Sequence, residues 1–203
     1  MTTELKTDLT IKIIVLGSSE VGKTCILNRY FNNEFKENSL STIGIDFQTK
    51  FFKFEDKKIK ANYTDTAGQE KFRAISVNYL KGTNGVILVF DLTNKESFDL
   101  LDTWMDELKN NNKMDISKVL IGNKADLADK IEVPKEEIEN FTKKVKCDYF
   151  ECSAKTGQNV NEALDEIAKI TFLNMKDSVS EVNREESIVL NSNGKNGKKG
   201  KCC

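Results

Sequence analysis

The sequence contains no histidine among its 203 residues, and this absence removes two common kinds of active site. Histidine is the usual general base of nucleophilic hydrolases and the commonest metal-binding side chain. Proline is also scarce, with a single residue, Pro134, at a position where a helix is expected to begin and where proline is tolerated. The sequence therefore excludes histidine-based nucleophilic catalysis and histidine metal sites.

Long apolar runs and an excess of one charge are missing as well. No apolar run approaches the ~20 residues needed to span a bilayer, and residues 1–10 lack the apolar core of a signal peptide. We therefore expect the body of the protein to lie in the cytosol. The formal net charge is −1, so no overall field favours nucleic acid, and no nucleic-acid-binding motif is present.

Cysteine is limited to five residues: Cys25, Cys147, Cys152, Cys202 and Cys203. Cys147 and Cys152 lack the spacing of a zinc site and have no second pair to complete one. We expect them to be buried, reduced thiols rather than metal ligands or a disulfide.

Apolar runs alternate with amphipathic segments along the chain, and hydrophobic residues at 38% suit a globular protein. Strands are predicted over residues 11–16, 43–54, 58–64, 86–90, 118–122 and 148–152. Helices are predicted over residues 25–31, 97–110, 134–145 and 159–175, with a short one near 72–80. This alternation predicts an α/β fold with a six-stranded, mostly parallel sheet, one antiparallel edge strand and helices on both faces.

The strongest motif follows the first predicted strand and reads Gly17-Ser18-Ser19-Glu20-Val21-Gly22-Lys23-Thr24. It matches G-x-x-x-x-G-K-[ST] in the strand–loop–helix context that a phosphate-binding loop requires. Glycines let the backbone approach an anion, and the amides and the helix end direct positive charge at it. We predict that nucleotide phosphates bind from Gly17 through Cys25, with Lys23 on the β- and γ-phosphates and Thr24 on Mg²⁺.

A second motif, Asp65-Thr66-Ala67-Gly68-Gln69, follows the predicted hairpin. Asp65 ends a strand and can hold Mg²⁺ through a water molecule. Gly68 has a free amide that can approach a γ-phosphate. Gln69 can orient an attacking water molecule through its amide, which makes it the predicted catalytic residue.

Two further motifs indicate a guanine pocket. Asn123-Lys124-Ala125-Asp126 follows a predicted strand, and the Asp126 carboxylate can accept hydrogen bonds from the N1–H and 2-amino groups of guanine. Adenine offers neither donor in that arrangement and would leave the carboxylate unpaired. The Lys124 stem can cover one face of the base, and Ser153-Ala154-Lys155 would close the pocket from the other side.

These motifs, in this order, resemble those of the small GTPases of the Ras superfamily. Within it the chain resembles the Rab family, through Ile43-Gly44-Ile45-Asp46-Phe47, Lys71-Phe72-Arg73 and residues 78–82 and 90–98. The resemblance covers roughly residues 8–175 and the last two residues. It implies a P-loop G-domain over residues 1–175 that binds GTP or GDP with Mg²⁺, and switch regions near residues 36–47 and 66–81. It also implies that Phe35 packs edge-on against guanine and that Thr42 ligates Mg²⁺ and senses the γ-phosphate. The effector-binding residues implied are Ile43, Gly44, Ile45, Asp46, Phe47, Phe72 and Tyr79.

Three residues depart from the family pattern. Thr64 stands where tryptophan usually joins Phe47 and Tyr79 in an aromatic triad that effectors read, which leaves effector choice open. Lys81 replaces the more usual arginine. Glu20 replaces glycine or alanine, and a carboxylate beside phosphates should weaken nucleotide binding, modestly if it is exposed.

Hydrolysis is expected to be slow without a partner. Residues 36–41 contain no arginine that could stabilise charge on the transferred phosphoryl group. Arg29, on the first predicted helix, is interpreted as a solvated surface residue. A cationic finger is therefore expected to come from a GTPase-activating protein.

Residues 176–203 are poor in apolar side chains, and we interpret them as a flexible tail. The terminal Cys202 and Cys203 follow four lysines and resemble the double-geranylgeranylation signal of Rab proteins. The resemblance implies a monomer anchored to the cytoplasmic face of intracellular membranes and cycling with the cytosol. It implies effectors, an exchange factor, a GDP-dissociation inhibitor and a prenylation escort as partners.

The leading hypothesis is a GTP/GDP switch of vesicle traffic. A rival from another class is a guanine-nucleotide-binding scaffold with little hydrolysis. Gln69, Thr42 and Asp65 argue against the scaffold, whereas Glu20 and Thr64 leave it open. An ATP-using enzyme is disfavoured by Asp126 and by the lack of a second recognisable substrate site.

Overall fold

The computed structural model describes residues 7–36, 45–66 and 80–193. Strands and helices alternate along these residues, and a 3₁₀ turn, Ala128–Lys130, follows the fifth strand. The strands are β1 Leu9–Leu16, β2 Ile45–Phe54, β3 Lys57–Thr66, β4 Gly85–Asp91, β5 Ser117–Asn123 and β6 Asp148–Glu151. The helices are α1 Lys23–Asn32, α2 Lys95–Asp99, α3 Leu101–Asn110, α4 Lys135–Val145 and α5 Val160–Asn193.

The six strands form one mixed sheet in the order β2-β3-β1-β4-β5-β6. Strands β2 and β3 pair antiparallel, and every other neighbouring pair is parallel. The predicted α/β class and the antiparallel edge strand are therefore confirmed. Because helices cover both faces of the central strands, every residue of β4 and β5 is buried.

Two hydrophobic clusters lie on opposite faces of the sheet. One joins α1 and α5 to the sheet through residues such as Ile26, Leu27 and Leu164. The other joins α2, α3 and α4 to it through Phe98, Met105, Phe141 and their neighbours. In sheets of this type, ligands bind beyond the carboxyl ends of the parallel strands.

The helix predicted over residues 97–110 differs in two respects. It begins earlier, at Lys95, because the Asn94 side chain caps it by accepting a hydrogen bond from the Ser97 amide at 3.1 Å. It is also divided at Leu100, whose carbonyl accepts a tighter, three-residue hydrogen bond from the Thr103 amide.

The sequence predicted that the last helix ends at Met175 and that an irregular segment begins at Lys176. The structure instead continues this helix to Asn193. The physical reason is local, since no glycine or proline interrupts the chain between Gly157 and Gly194. Despite its length, neither this helix nor another among the described residues is long and apolar enough to cross a membrane.

The cysteines of the body are free thiols. Cys152 is buried, as predicted, and burial raises its pKa to about 12. Cys147 is only half-buried, and burial raises its pKa to about 11. Both thiols are thus protonated at neutral pH, because their surroundings disfavour a thiolate.

Phe90 provides a test of the fold. It is fully buried in β4 and packs edge-on against Phe98, with ring centroids 5.0 Å apart. Phe90→Ala should lower the free energy of unfolding by about 3–5 kcal/mol, the usual effect of truncating a core phenylalanine. The matched control is Phe51→Ala on the exposed face of β2, which should change it by less than about 0.5 kcal/mol. Urea titrations that gave similar losses for the two variants would contradict this arrangement of the core.

Candidate functional site

The residues selected by motif converge at the carboxyl ends of the parallel strands. The phosphate-loop motif follows β1, Asp65 is near the end of β3, and Asp91 ends β4. Asn123 ends β5, and the loop containing Ser153 follows β6. Segments distant in sequence therefore line one edge of the sheet.

The phosphate loop is packed closely against the neighbouring strand ends. A Cβ on Gly17, which has φ +150°, would lie 2.1 Å from the Val89 carbonyl oxygen. A Cβ on Gly22, which has φ +94°, would lie 2.3 Å from the Asn123 side-chain nitrogen. Both positions require glycine, because a side chain would collide and the backbone is left-handed. The loop therefore lies close against β4 at Val89 and against β5 at Asn123.

Lys23 is held inside this curve. Its side chain is buried, and its ammonium donates hydrogen bonds to the carbonyl oxygens of Gly17 at 2.9 Å and Ser18 at 2.7 Å. The charge is thus fixed at the mouth of the loop, where it can attract an anion. The remaining loop residues are placed as follows: Ser19 and Glu20 are exposed, Val21 is buried, and Ser18 and Cys25 are half-buried.

Thr24 and Asp65 form a pair of oxygen donors beside the loop. The Thr24 hydroxyl donates to Asp65 Oδ2 at 2.5 Å. Asp65 is 2% exposed, and its Oδ1 has no hydrogen-bond partner among the described residues. Burial raises the pKa of Asp65, although the Thr24 hydrogen bond and the charge of Lys23 oppose that shift. A buried carboxylate oxygen without a partner next to a hydroxyl fits a hard cation such as Mg²⁺.

Asn123, at the end of β5, joins two loops through one buried amide. Its nitrogen donates to the Val21 carbonyl of the phosphate loop at 2.8 Å. Its oxygen accepts from the Ala154 amide at 3.1 Å. The side chain that the motif assigned to base recognition therefore also fixes the spacing between the phosphate loop and the loop after β6.

Asp126 is oriented by that same loop. Ser153 is buried and donates from its hydroxyl to Asp126 Oδ1 at 2.6 Å. Asp126 is exposed, and since a carboxylate has about four acceptor positions, the Ser153 bond leaves others for a ligand. Lys155 is exposed on the outer side of the loop.

Asp91 lies outside the motifs of the predicted site, yet it positions a predicted base-pocket residue, Lys124. Its Oδ2 lies 2.6 Å from the Lys124 ammonium, and its Oδ1 accepts from the amide and hydroxyl of Thr93. Lys124 has φ 68°, so its backbone is left-handed as well. A carboxylate that ends a wholly apolar, buried strand was the signal that could have identified Asp91.

The interpretation of Arg29 as a solvated surface residue is wrong. Its guanidinium donates hydrogen bonds to the carbonyl oxygens of Ala154 at 2.9 Å and Lys155 at 2.7 Å. No sequence pattern indicates this contact, because both acceptors are backbone atoms in a loop far along the chain.

Some of the remaining predicted residues lie within the part of the chain that the structure describes, and the others lie outside it. Phe35 is half-buried against the α1–α5 cluster, and the carboxylate of Asp46 accepts from the Phe47 amide at 2.8 Å. Phe47 is 60% exposed on β2, whereas Thr64, opposite it on β3, is fully buried. The backbone of Ile45 belongs to β2. Outside the described residues lie Thr42, Ile43, Gly44, Gly68, Gln69, Phe72, Tyr79, Cys202 and Cys203.

Comparison with known proteins gives the family. The Ras family model matches residues 12–172. Ras-related protein Rab-13 of Rattus norvegicus is 39% identical over 82% of this chain and 82% of its own length. Ras-related protein Rab-10 of Diplobatis ommata is 38% identical over 97% of this chain and 96% of its own. Ras-related protein RABA4d of Arabidopsis thaliana is 37% identical over 98% of this chain and 94% of its own length.

The chain belongs to the Rab branch of the Ras family. It is therefore a small GTPase, an enzyme that hydrolyses GTP to GDP and phosphate, and the predicted family is confirmed. Ras-like GTPases in general bind GTP or GDP with Mg²⁺ and act as switches, and Rab GTPases act in vesicle traffic. The individual roles predicted for the site residues of this Rab chain remain predictions.

Glu20 allows a test of the electrostatics of the phosphate loop. It is exposed and has φ 62°, so solvent screens its charge. Glu20→Gly should slow GDP release by up to about fivefold, since repulsion between unit charges 4 Å apart in water is about 1 kcal/mol. Release of a fluorescent GDP analogue measures the rate.

Glu20→Gln is the control, because it removes the charge and keeps a side chain on the left-handed backbone. If charge is the cause, the Gln variant should also release GDP more slowly than the parent. Release at the parent's rate by both variants would contradict a role for the carboxylate.

Proposed function

We propose that this Rab chain is a membrane-anchored switch of vesicle traffic that binds guanine nucleotide at the edge of the sheet described above. One observation carries the proposal. The buried Asn123 amide ties the phosphate loop, through Val21, to the loop containing Ser153 and Ala154. A nucleotide bound between them would have its phosphates on one loop and its base on the other.

Guanine is the base that the pocket favours. Asp126 is an acceptor held by Ser153, and guanine presents two adjacent donors that adenine lacks. A site built to hydrogen-bond its ligand rejects an analogue that lacks the matching donors. Lys124, fixed by Asp91, would cover one face of the ring with its aliphatic stem, and Phe35 would contact the ring edge.

The residues that would hold Mg²⁺ are Thr24, Asp65 through a water molecule, and Thr42. When bound, Mg²⁺ neutralises charge on the β- and γ-phosphate oxygens. Lys23 would add a fixed positive charge beside the same oxygens, and the Gly68 amide would donate to the γ-phosphate. Gln69 would orient the attacking water molecule in line with the bond that breaks.

The contacts of Arg29 support the proposal that hydrolysis is slow until a partner accelerates it. Its guanidinium is bound to loop carbonyls on the base side of the site, so using it on the γ-phosphate would break those bonds. A finger supplied by an activating protein would stabilise the charge that develops during transfer. The lifetime of the GTP state would then be set by partners.

Anchoring and partner binding complete the proposal. Cys202 and Cys203 would carry lipid chains, and Lys195, Lys198, Lys199 and Lys201 would be attracted to an anionic leaflet. Effectors would bind the exposed Phe47 face of β2 together with the switch segments. An exchange factor, a GDP-dissociation inhibitor and a prenylation escort would act on the same cycle between membrane and cytosol.

Single-turnover hydrolysis of preloaded GTP tests the switch. The parent should hydrolyse GTP at a rate on the order of 10⁻⁴ s⁻¹, the intrinsic range of Ras. Gln69→Leu should be at least about tenfold slower, because leucine cannot orient water. Chromatography of the bound nucleotide follows the reaction and verifies that GTP stays bound. GTP that remained intact in both proteins would favour the scaffold hypothesis instead.

Base recognition has its own test. Asp126→Asn replaces an acceptor by a donor, so we expect affinity for GDP to fall by at least about a hundredfold. Xanthosine diphosphate, which has a carbonyl in place of the 2-amino group, should then bind better than GDP. Competition against a fluorescent nucleotide measures both affinities.

The same substitution at an exposed carboxylate of α3, Asp106→Asn, is the matched control and should leave both affinities unchanged. Retention of GDP preference by Asp126→Asn would argue against the proposed base contact.

A further inference from the structure

Arg29 connects two segments that flank the proposed base pocket. From the C-terminal part of α1, its Nε donates to the Ala154 carbonyl at 2.9 Å and its Nη2 to the Lys155 carbonyl at 2.7 Å. Its Nη1 donates to both the backbone and side-chain oxygens of Asn33, each at 2.9 Å. Asn33 ends α1 in a left-handed conformation two residues before Phe35. One guanidinium thus bonds to the base loop and to the chain that enters the first switch region.

The planar shape of the guanidinium explains why an arginine is needed here. Its donors point along fixed, divergent directions, so it can bind several carbonyl oxygens at once, whereas a lysine ammonium acts as a single point. The side chain is half-buried, where charge-assisted hydrogen bonds are worth more than at a fully exposed site. The acceptors are backbone atoms, so the contact fixes the path of the loop rather than any one of its side chains.

The loop that Arg29 holds orients the base-pocket groups. Its Ser153 hydroxyl donates to Asp126, and its Ala154 amide donates to Asn123. Arg29 therefore holds the carbonyl side of the same peptide segment whose donors orient the two residues. If the loop shifted, both donors would move together.

We propose that Arg29 is a positioning residue that sets the rate of guanine-nucleotide release by holding the Ser153–Lys155 loop against α1. The inference rests on the proposed function, because it needs guanine nucleotide in this pocket. It adds a specific mechanism: one side chain contacts both the base loop and the segment that precedes Phe35, so truncating that side chain would loosen the contacts around the base.

The experiment compares Arg29→Ala and Arg29→Lys with the parent chain. Release rates of GDP and of inosine diphosphate, which lacks the 2-amino group, are measured with excess competing nucleotide. We expect Arg29→Ala to release GDP at least about tenfold faster, the factor equivalent to one hydrogen bond to a charged group. Arg29→Lys should release GDP at an intermediate rate, because a lysine ammonium can replace only some of the hydrogen bonds that the guanidinium donates.

Base selectivity separates positioning from general destabilisation. In the parent, inosine diphosphate should leave faster than GDP, since Asp126 loses one of its two donors. In Arg29→Ala this ratio should shrink towards one, because Asp126 is no longer oriented. Ile138→Val in α4, on the opposite face of the sheet, is the stability control and should preserve the ratio.

The outcomes are distinct. A smaller ratio and faster GDP release in the Arg29 variants, with neither change in Ile138→Val, would support the inference. An unchanged ratio, or release that rises only as thermal stability falls in all variants, would overturn it while leaving the proposed function intact. A parent that bound no guanine nucleotide would overturn both. If Arg29→Ala fails to fold, Arg29→Lys answers the same question.

Discussion

The candidate site depends on one buried amide, that of Asn123. Its nitrogen binds the phosphate loop and its oxygen binds the loop after β6, so the distance between the two ends of a nucleotide site is fixed by a single side chain. The closeness of this packing also explains a glycine. Gly22 must lack a side chain because a Cβ there would lie 2.3 Å from the same amide nitrogen.

The sheet makes this arrangement possible. Strands β4 and β5 are buried along their whole lengths, so they are held firmly by both helical layers, and each of them ends in a polar residue, Asp91 or Asn123. Asp91 and Asn123 are paired neighbours in the register at those ends. Each turns its polar group towards a segment that carries a motif, Asp91 to Lys124 and Asn123 to the phosphate loop. A rigid apolar platform thus sets the geometry of loops that have little core of their own.

Sequence patterns predicted the fold class, the antiparallel edge and the clustering of the motifs, because periodicity and strand ends are local signals. Roles that depend on contacts between distant segments were not predictable. Arg29 was misinterpreted because its partners are backbone carbonyls more than a hundred residues away in sequence. Asp91 was passed over because its pairing with Lys124 requires the register of β4 and β5. The end of α5 was mispredicted for a different reason, because here a local signal was overlooked. Low hydrophobicity suggested a linker, although no helix-breaking residue was present.

Two cationic side chains, Lys23 and Arg29, are engaged at the candidate site, and their contacts suggest how binding and turnover are separated in this chain. Lys23 is committed to the phosphate loop and Arg29 to the base loop, so both cations hold the nucleotide site in shape. A cation that must stabilise charge only in the transition state has to be uncommitted in the ground state. Neither residue meets that condition. This arrangement supports the proposed switch, in which exchange and activating proteins would control the bound nucleotide.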